Sequence, residues 1–580
     1  MAMKLRIWRN NQFTAWQPNL WDVVALLLLF AIFVALAWGA GQMSTPYQVG
    51  DQLSISLSAT YLPGYALRTT LRMFIALTAS LLFTFVFGML AAKNKHVEKI
   101  IIPVVDILQS VPVLGYLSIA MVACIALFPG SLMGPECAAI LAIFTGQAWN
   151  MFLGFYQSLK TIPHDLREAS AMFQLSGWQR FWRMEVPFAM PSLIWNMMMS
   201  MSASWFFITA SEAITVNNQK ILLPGIGSYI AVAIAHMNKA AVIYAIITML
   251  IVILLYDQLL FRPLIAWSEK FKSSEGDEKY RPGSLLITIL QRTRLLHYAG
   301  QFFAILVDEI INYKGLRKAT RPKEHKAIKP KTTVVFTYVW YGLVSLVCLA
   351  VLIFLLRFVF KTVSISETLH VLTLGVYTTI RIIILIIICS LIWVPVGVWI
   401  GLRPRVAQIA QPIAQFLAAF PANLLFPIVV VLILRYKLNV EIWTTPLMIL
   451  GAQWYILFNV IAGTTALPKD LVQVADNLGL KNWLWWKRFI LPGIFPYLIT
   501  GVITAVGGAW NATIIAEYVQ WGDTTLKATG LGAYITEVTT AGDFPRVALG
   551  IATMCIFVLI FNRLLWQPLY NLAEKRFQLD

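Results

Sequence analysis

A few ionisable and amide side chains fall inside long apolar runs. Charge is costly there, and where it persists it marks a function. Arg72 and Arg381 lie in two such runs, toward the ends that the charge pattern below places outside. Two arginines along a dry pathway would attract an anion through charge and forked donors. The competing reading is an arginine that snorkels or pairs with a helix C-terminus. Glu212 and Glu517 fall near the outer ends of two other runs. A carboxylate repels an anion, so these read as gate anchors or as partners for a basic group. Trp205, Trp510 and Asn511 are mid-run, placed either to line a cavity or to pack. Gln147 and Gln453 offer amide donors, although they stand one residue out of register with each other.

Catalysis has no foothold. No Ser–His–Asp set, metal triad or pair of working carboxylates emerges from spacing, so no catalytic residue and no metal ligand is assigned. Six histidines are unclustered, and His236 is given no chemistry. Cys124, Cys137, Cys348, Cys389 and Cys555 lack metal-ligand spacing and read as small packing residues. The "MMMSM" cluster (Met197 to Met201) reads as deformable packing. The chain has no G-x-x-x-x-G-K-[ST] phosphate loop, so ATP hydrolysis by that route must come from elsewhere.

The elements that would position these residues are membrane helices. The chain has 580 residues, 59% hydrophobic and only 12% charged. Many runs reach the ~20 apolar residues a spanning helix needs, and they are continuous rather than alternating, which excludes a barrel. Twelve spans are expected, near 21–39, 66–92, 101–128, 136–158, 191–213, 240–262, 333–357, 370–400, 408–434, 444–465, 496–517 and 546–570. The first reads as an uncleaved span rather than a signal peptide. The formal charge of +18 belongs to loops, not to nucleic-acid binding. Lys93, Lys95 and Lys99 mark one inner loop, and Lys160, Arg167, Arg180 and Arg183 another, while 40–62 and 129–135 carry no Lys or Arg. That pattern places both termini in the cytoplasm. Between the halves, "GLRKATRPKEHKAIKPK" (Gly315 to Lys331) reads as a basic connector. Upstream, "LLITILQRTRLLHYAGQFFAILVDEII" reads as an amphipathic helix on the membrane or on a partner.

The chain repeats itself. Thr69, Thr70, Arg72, Pro103 and Pro112 match Thr378, Thr379, Arg381, Pro412 and Pro421 at an offset of 309. After a four-residue deletion the offset becomes 305, joining Trp149 to Trp454, Pro163 to Pro468, Trp178 to Trp483, Pro187 to Pro492, Trp205 to Trp510, Glu212 to Glu517, Gly225 to Gly530, Gly227 to Gly532 and Pro263 to Pro568. An even number of spans precedes the second copy, so the copies are expected to lie parallel.

Each copy carries a polar insert: "REASAMFQLSGWQRFWRMEVPFAMP" (Arg167 to Pro191) and "VQVADNLGLKNWLWWKRFILPGIFP" (Val472 to Pro496). A short amphipathic helix between proline stops suits docking into a groove on a soluble partner. These stretches resemble the Glu-Ala-Ala loop of ABC-importer permeases, in which a glycine follows six residues after the glutamate and Leu-Pro comes near the end. Glu168, Ala169 and Ser170 match the triplet, with Trp178 and Pro187 at the expected spacing and Gln174 where the glycine belongs. In the second copy Gln473, Val474 and Ala475 stand for the triplet, followed by Gly479, Trp483, Leu491 and Pro492. "GGAWNATIIAEYV" and "SASWFFITASEAI" are similar to the following span in nitrate/sulfonate/taurine-type permeases, and "GIGSYI" and "GLGAYI" to its next loop.

The resemblance implies an all-α polytopic membrane protein: two parallel repeats of the type I importer permease fold, with about 12 helices. It implies a fused permease module at 65–271 and another at 374–577. The remaining divisions are 1–64 (tail, first span and outer loop), 272–332 (basic linker) and 333–373 (extra span and outer loop). The implied partners are two copies of a cytoplasmic ABC ATPase and an extracytoplasmic substrate-binding protein. ATP and magnesium would be held by the ATPase, with no cofactor on this chain. The implied cargo is a small anion such as nitrate, a sulfonate or bicarbonate, carried across a bacterial inner membrane. An amino acid or metal chelate keeps the class and changes the cargo. An ion-coupled secondary transporter would need mid-span acid relays, and its main candidate, Asp106, is matched by Gln415, which does not titrate.

Overall fold

The computed structural model describes residues 19–43, 45–47, 54–216, 219–268, 293, 305–309, 311–312, 342, 345–346, 349–521, 524–566, 568–569 and 572. The chain forms two compact units. One is made of Met1–Gly41, Thr161–Ile194 and Leu255–Glu324, and the other of Gln42–Lys160, Trp195–Leu254 and His325–Asp580. Most of the expected linker helix lies outside the described residues, which include Thr293, a helical turn at 305–309 and Ile311.

Helices dominate. Among the described residues six are long and apolar enough to cross a bilayer: Ala59–Lys93, Met133–Lys160, Lys239–Ser268, Ile365–Gly401, Asn482–Ala516 and Phe544–Trp566. A seventh arises if the pair Val440–Leu450 and Ala452–Thr465, bent by 45°, counts as one span. The expected segments 21–39 and 191–213 correspond to the helices Leu20–Met43 and Val186–Ser211. Of the segment 333–357 the described residues are helical, with a continuous apolar helix from Leu349.

Two expected spans, 101–128 and 408–434, are not continuous. The first divides into Lys95–Ser110 and Val113–Leu127. The second divides into Pro404–Ala419 and Phe426–Tyr436, with a short 3₁₀ turn at Ala422–Leu425. Hydrophobicity alone does not register the break. Pro112 and Pro421 cause it: the residue before a proline is pushed out of the helical region by the pyrrolidine ring. Val111 (φ −76°, ψ 123°) and Phe420 (φ −71°, ψ 126°) are accordingly extended.

Proline also explains a second irregularity. The described residues contain four π-turns, at Phe181–Glu185, Asp257–Phe261, Trp486–Ile490 and Asn562–Trp566. Each ends two residues before a proline: Pro187, Pro263, Pro492 and Pro568. A proline inside a helix clashes with the carbonyl one turn back and offers it no N–H. Widening that turn by one residue relieves the clash while the helix continues. The wide bond is seen where Val186 donates to the carbonyl of Phe181, and again where Leu491 donates to that of Trp486.

Each copy also holds a small antiparallel hairpin that the all-helical expectation did not contain. β1 (Ala213–Val216) pairs with β2 (Gln219–Leu222), and β3 (Tyr518–Trp521) with β4 (Thr524–Lys527). Within the larger unit β1 packs on the second copy's helix Leu531–Ala541, and β3 packs on the first copy's helix Ile226–Ala235. Such reciprocal contact is the mark of a two-fold relationship, and it sets both hairpins at the same end, as parallel copies require. One apolar core runs through both copies, with Val113, Leu114, Leu117 and Phe207 joining Ala509, Trp510, Ile514 and Leu549.

A polar contact bridges the copies at the broken span. Asn511 Oδ1 accepts from the Val113 N–H at 2.7 Å, capping from outside a helix end that Pro112 cannot cap. Replacing Asn511 with Leu leaves that donor without an acceptor, which costs about 1–3 kcal/mol. We expect a lower midpoint of thermal unfolding in detergent for Asn511→Leu, with Asn511→Asp recovering part of the loss.

Candidate functional site

The embedded charges assemble into one network per copy. In the first, Arg72 lies on the helix Leu62–Lys93 and is fully buried. Its Nε and Nη2 donate to Glu136 at 2.5 and 2.7 Å, its Nη1 to Glu212 at 2.6 Å, and its Nη2 also to the Pro224 carbonyl at 3.0 Å. Glu212 follows the last turn of Val186–Ser211. Its Oε1 also accepts from Thr69 Oγ1 at 2.7 Å, and its Oε2 from the Gly227 N–H at 2.6 Å. Thr69 Oγ1 in turn accepts from the Ile226 N–H. Arg68, one turn before Arg72, donates to the Gln42 side chain.

The second network is built from the same parts. Arg381 Nη1 donates to Glu517 at 2.6 Å and Nη2 to Glu441 at 2.8 Å. Thr378 Oγ1 donates to Glu517 at 2.9 Å and accepts from Leu531 N–H, while Gly532 N–H donates to Glu517 Oε2 at 2.7 Å. Glu441 also accepts from the Thr529 N–H and hydroxyl. Glu136 and Glu441 were not singled out from sequence, yet they stand at the 305-residue offset, and that register was the available signal.

The glycines of "GIGSYI" and "GLGAYI" admit the carboxylates. A Cβ on Gly225 would meet the Glu212 carboxyl at 2.3 Å, and one on Gly530 the Glu517 carboxyl at 2.3 Å. One on Gly227 or Gly532 would meet the backbone of Thr209 or Thr513 at 2.3 or 2.4 Å. Gly225 and Gly530 are extended, so proximity rather than backbone angle demands glycine. The network thus ties four segments in each copy: the long helix bearing arginine and threonine, the helix start bearing Glu136 or Glu441, the end of the helix bearing Glu212 or Glu517, and the loop entering the next helix.

In this arrangement both guanidiniums are turned to carboxylates, not to an open pathway. Trp205 and Trp510 are buried in the apolar core. Asn511 holds Val113, as above. Gln147 is fully buried, accepting from Ser80 and facing the sulfurs of Met73 and Met201. Gln453 accepts from Trp393 Nε1 at 3.2 Å. The seven residues picked for a substrate pathway therefore do not converge on one site.

The two polar inserts are also matched, each within its own unit. The first forms the helix His164–Met172, where Glu168 is exposed and meets His164 at 3.2 Å, Ala169 is half-buried, and Ser170 is buried with its hydroxyl on the Arg167 carbonyl. The second forms Lys469–Asn477, with Gln473 exposed and Ala475 buried. Both helices end the same way. Leu175 N–H donates back to the Ser170 carbonyl, and Leu480 N–H to that of Ala475, around a residue in the left-handed region. That residue is Gly479 (φ 63°) in one copy and Gln174 (φ 49°) in the other. The chain turn survives the loss of glycine in the first copy. A short helix then leads through the π-turn and Pro187 or Pro492 into the long helix. Trp178 is half-buried against Trp182, whereas Trp483 is 71% exposed. At the foot of Met133–Lys160, the Lys160 ammonium and the Tyr156 hydroxyl hold the Glu98 carboxyl below its usual range.

Breaking a buried ion pair on one side costs about 3–5 kcal/mol because the other charge is stranded. Glu212→Gln removes one of the two carboxylates on a guanidinium with no solvent access, whereas Arg381 is 10% exposed and Glu441 45%. We expect Glu212→Gln to lower the unfolding temperature more than Glu517→Gln. At the helix ends, a left-handed L-residue costs about 1–2 kcal/mol. Gly479→Ala should therefore speed hydrogen exchange at the Leu480 amide about fivefold or more, and Gln174→Gly should slow it at Leu175.

Comparison with known proteins fits this duplicated architecture. The model for "binding-protein-dependent transport system inner membrane component" matches twice, at residues 84–261 and 393–577. Both matches contain an insert and a network glutamate. A bicarbonate transport system permease protein CmpB of Synechocystis is 25% identical over 176 residues, 30% of this chain and 60% of that protein. A nitrate import permease protein NrtB of Leptolyngbya laminosa is 28% identical over 171 residues, 30% of this chain and 58% of that protein. The NrtB of Synechocystis is 25% identical over 245 residues, 40% of this chain and 84% of that protein. The chain thus spans less than two thirds of the first two relatives. With the family model covering more than half of its length in two copies, the chain belongs to the binding-protein-dependent transport system inner membrane components.

Proposed function

We propose that this chain is a fused pair of membrane modules of an ATP-driven importer for a small anion of the nitrate or bicarbonate kind. The observation that carries the reading is the duplicated insert, with a helix, a left-handed residue, a π-turn and a proline repeated at one offset. Two equivalent levers suit a partner with two equivalent faces. The chain lacks a phosphate loop, which is consistent with an engine on a separate ATPase subunit. An external binding protein would deliver the anion, and the membrane would be the bacterial inner membrane, with both termini on the ATPase side. The names of the relatives support anion cargo: two are nitrate permeases and one is a bicarbonate permease.

In this reading Glu168 to Ser170, Trp178 and Pro187, and likewise Gln473, Ala475, Gly479, Trp483 and Pro492, transmit ATPase closure. The Arg–Glu networks act as gate braces at the opposite ends of the helices. Glu441 and Thr465 bracket a helical stretch of about 36 Å, so the second network and the second lever sit at opposite ends of it. Closure of the engine then moves these helices together, because each network locks four segments to one another.

The test is co-purification with a candidate ABC ATPase subunit, followed by reconstitution with a candidate binding protein and uptake of labelled nitrate or bicarbonate. We expect anion-dependent ATP hydrolysis, lowered at least tenfold by Glu168→Arg combined with Gly479→Val. Unchanged complex formation and hydrolysis in that variant would overturn the coupling role. Uptake without nucleotide would overturn the importer reading altogether.

A further inference from the structure

The two inserts are alike in backbone but opposite in how their cations are satisfied. In the first, Arg180 pairs with Glu185 at 3.1 Å and Arg183 with Asp308 of the linker at 2.7 Å, while Gln179 donates to Asn312. At the 305-residue offset, Arg183 becomes Arg488, Glu185 becomes Ile490 and Trp182 becomes Lys487. Lys487 and Arg488 are exposed, and among the described residues neither has an ion pair. No Asp or Glu occurs between Asp476 and Glu517. Among the described residues, the position that takes a carboxylate in one copy thus meets no anion in the other.

The surroundings point to the kind of anion. Trp483 is 71% exposed, and Trp485 and Trp486 are half-buried, their rings 5.4 Å apart and packed with Phe489 against the core. Tryptophans interleaved with cations are the composition of a membrane–water interface. The continuous helix Asn482–Ala516 has 35 residues, or about 52 Å at 1.5 Å per residue. The hydrocarbon layer is about 30 Å thick, and even a 40° tilt leaves about 40 Å along the normal. The helix therefore outruns the hydrocarbon layer by about 10 Å or more, and its 482–488 end, with its cations and indoles, has the composition of headgroup depth.

We propose that Lys487 and Arg488, next in the chain to the paired indoles of Trp485 and Trp486, form a binding site for an anionic phospholipid headgroup. The guanidinium and ammonium bind the phosphate, and the indoles hold the glycerol region. The first copy has no such site because the linker supplies Asp308 in place of the lipid.

The full-length chain, purified in detergent, is titrated with palmitoyl-oleoyl phosphatidylglycerol or phosphatidylcholine and bound lipid is counted by native mass spectrometry. We expect preferential retention of phosphatidylglycerol. K487Q/R488Q should weaken it about fivefold for each charge removed, leaving phosphatidylcholine unchanged. The charge-conserving K487R/R488K should restore it, and excess glycerol 1-phosphate should not displace it. K527Q, whose lysine is paired with Glu537, serves as the control and should behave as wild type. Equal retention by K487Q/R488Q, equal loss of both lipids, or displacement by glycerol 1-phosphate would overturn the proposal. Retention unchanged while the ATPase subunit is lost would assign the cations to that subunit and overturn it as well. The readout involves no transport, so it stands or falls apart from the importer reading.

Discussion

A guanidinium with no access to water can remain charged in a bilayer only if carboxylates and carbonyls surround it. Arg72 meets that demand with Glu136, Glu212 and the Pro224 carbonyl, and the demand propagates outward. Glu212 needs further donors, which Thr69 and the Gly227 amide supply. Those donors fix where the loop enters the next helix, and the loop can come that close only because Gly225 and Gly227 have no side chain. The hairpin between them fills the space left over, and hairpins of both copies then meet the opposite copy's helices. One electrostatic requirement, repeated, thereby fixes helix ends, loop composition and the relation of the copies.

Much of this was legible in the residues, because rare types at a constant separation survive where apolar residues drift. Glu212 with Glu517 and Arg72 with Arg381 were visible as pairs, and so were the glycines that admit them. Their mutual contact was not visible, since Arg72 and Glu212 are 140 residues apart and only packing joins them. Glu136 escaped notice because a glutamate in the first turn of a helix looks like an ordinary favourable charge at a helix start. The breaks at Pro112 and Pro421 were hidden by uniform hydrophobicity, although the prolines themselves stood in plain sight. The hairpins were missed because their strands are four residues long, too short for alternation to register.

The copies have diverged where symmetry is not enforced. Gln174 has replaced a glycine yet the chain still turns left-handed there, so the contacts around the turn outweigh the backbone preference. Arg68 has no counterpart, since the offset of 309 leads to Tyr377. The first network therefore sits in balance between two cations and two anions, and the second leaves its extra carboxylate, Glu441, half in contact with solvent.

The π-turns carry a geometric consequence of their own. Each holds one residue more than a regular turn would use, and one residue of an α-helix is about 100° of rotation. Passed on along the helix instead of held in the wide turn, that residue would rotate everything beyond it by more than a quarter turn, and Glu212 or Glu517 would miss its arginine. The wide turns therefore accommodate Pro187 and Pro492 while keeping angular phase along each helix.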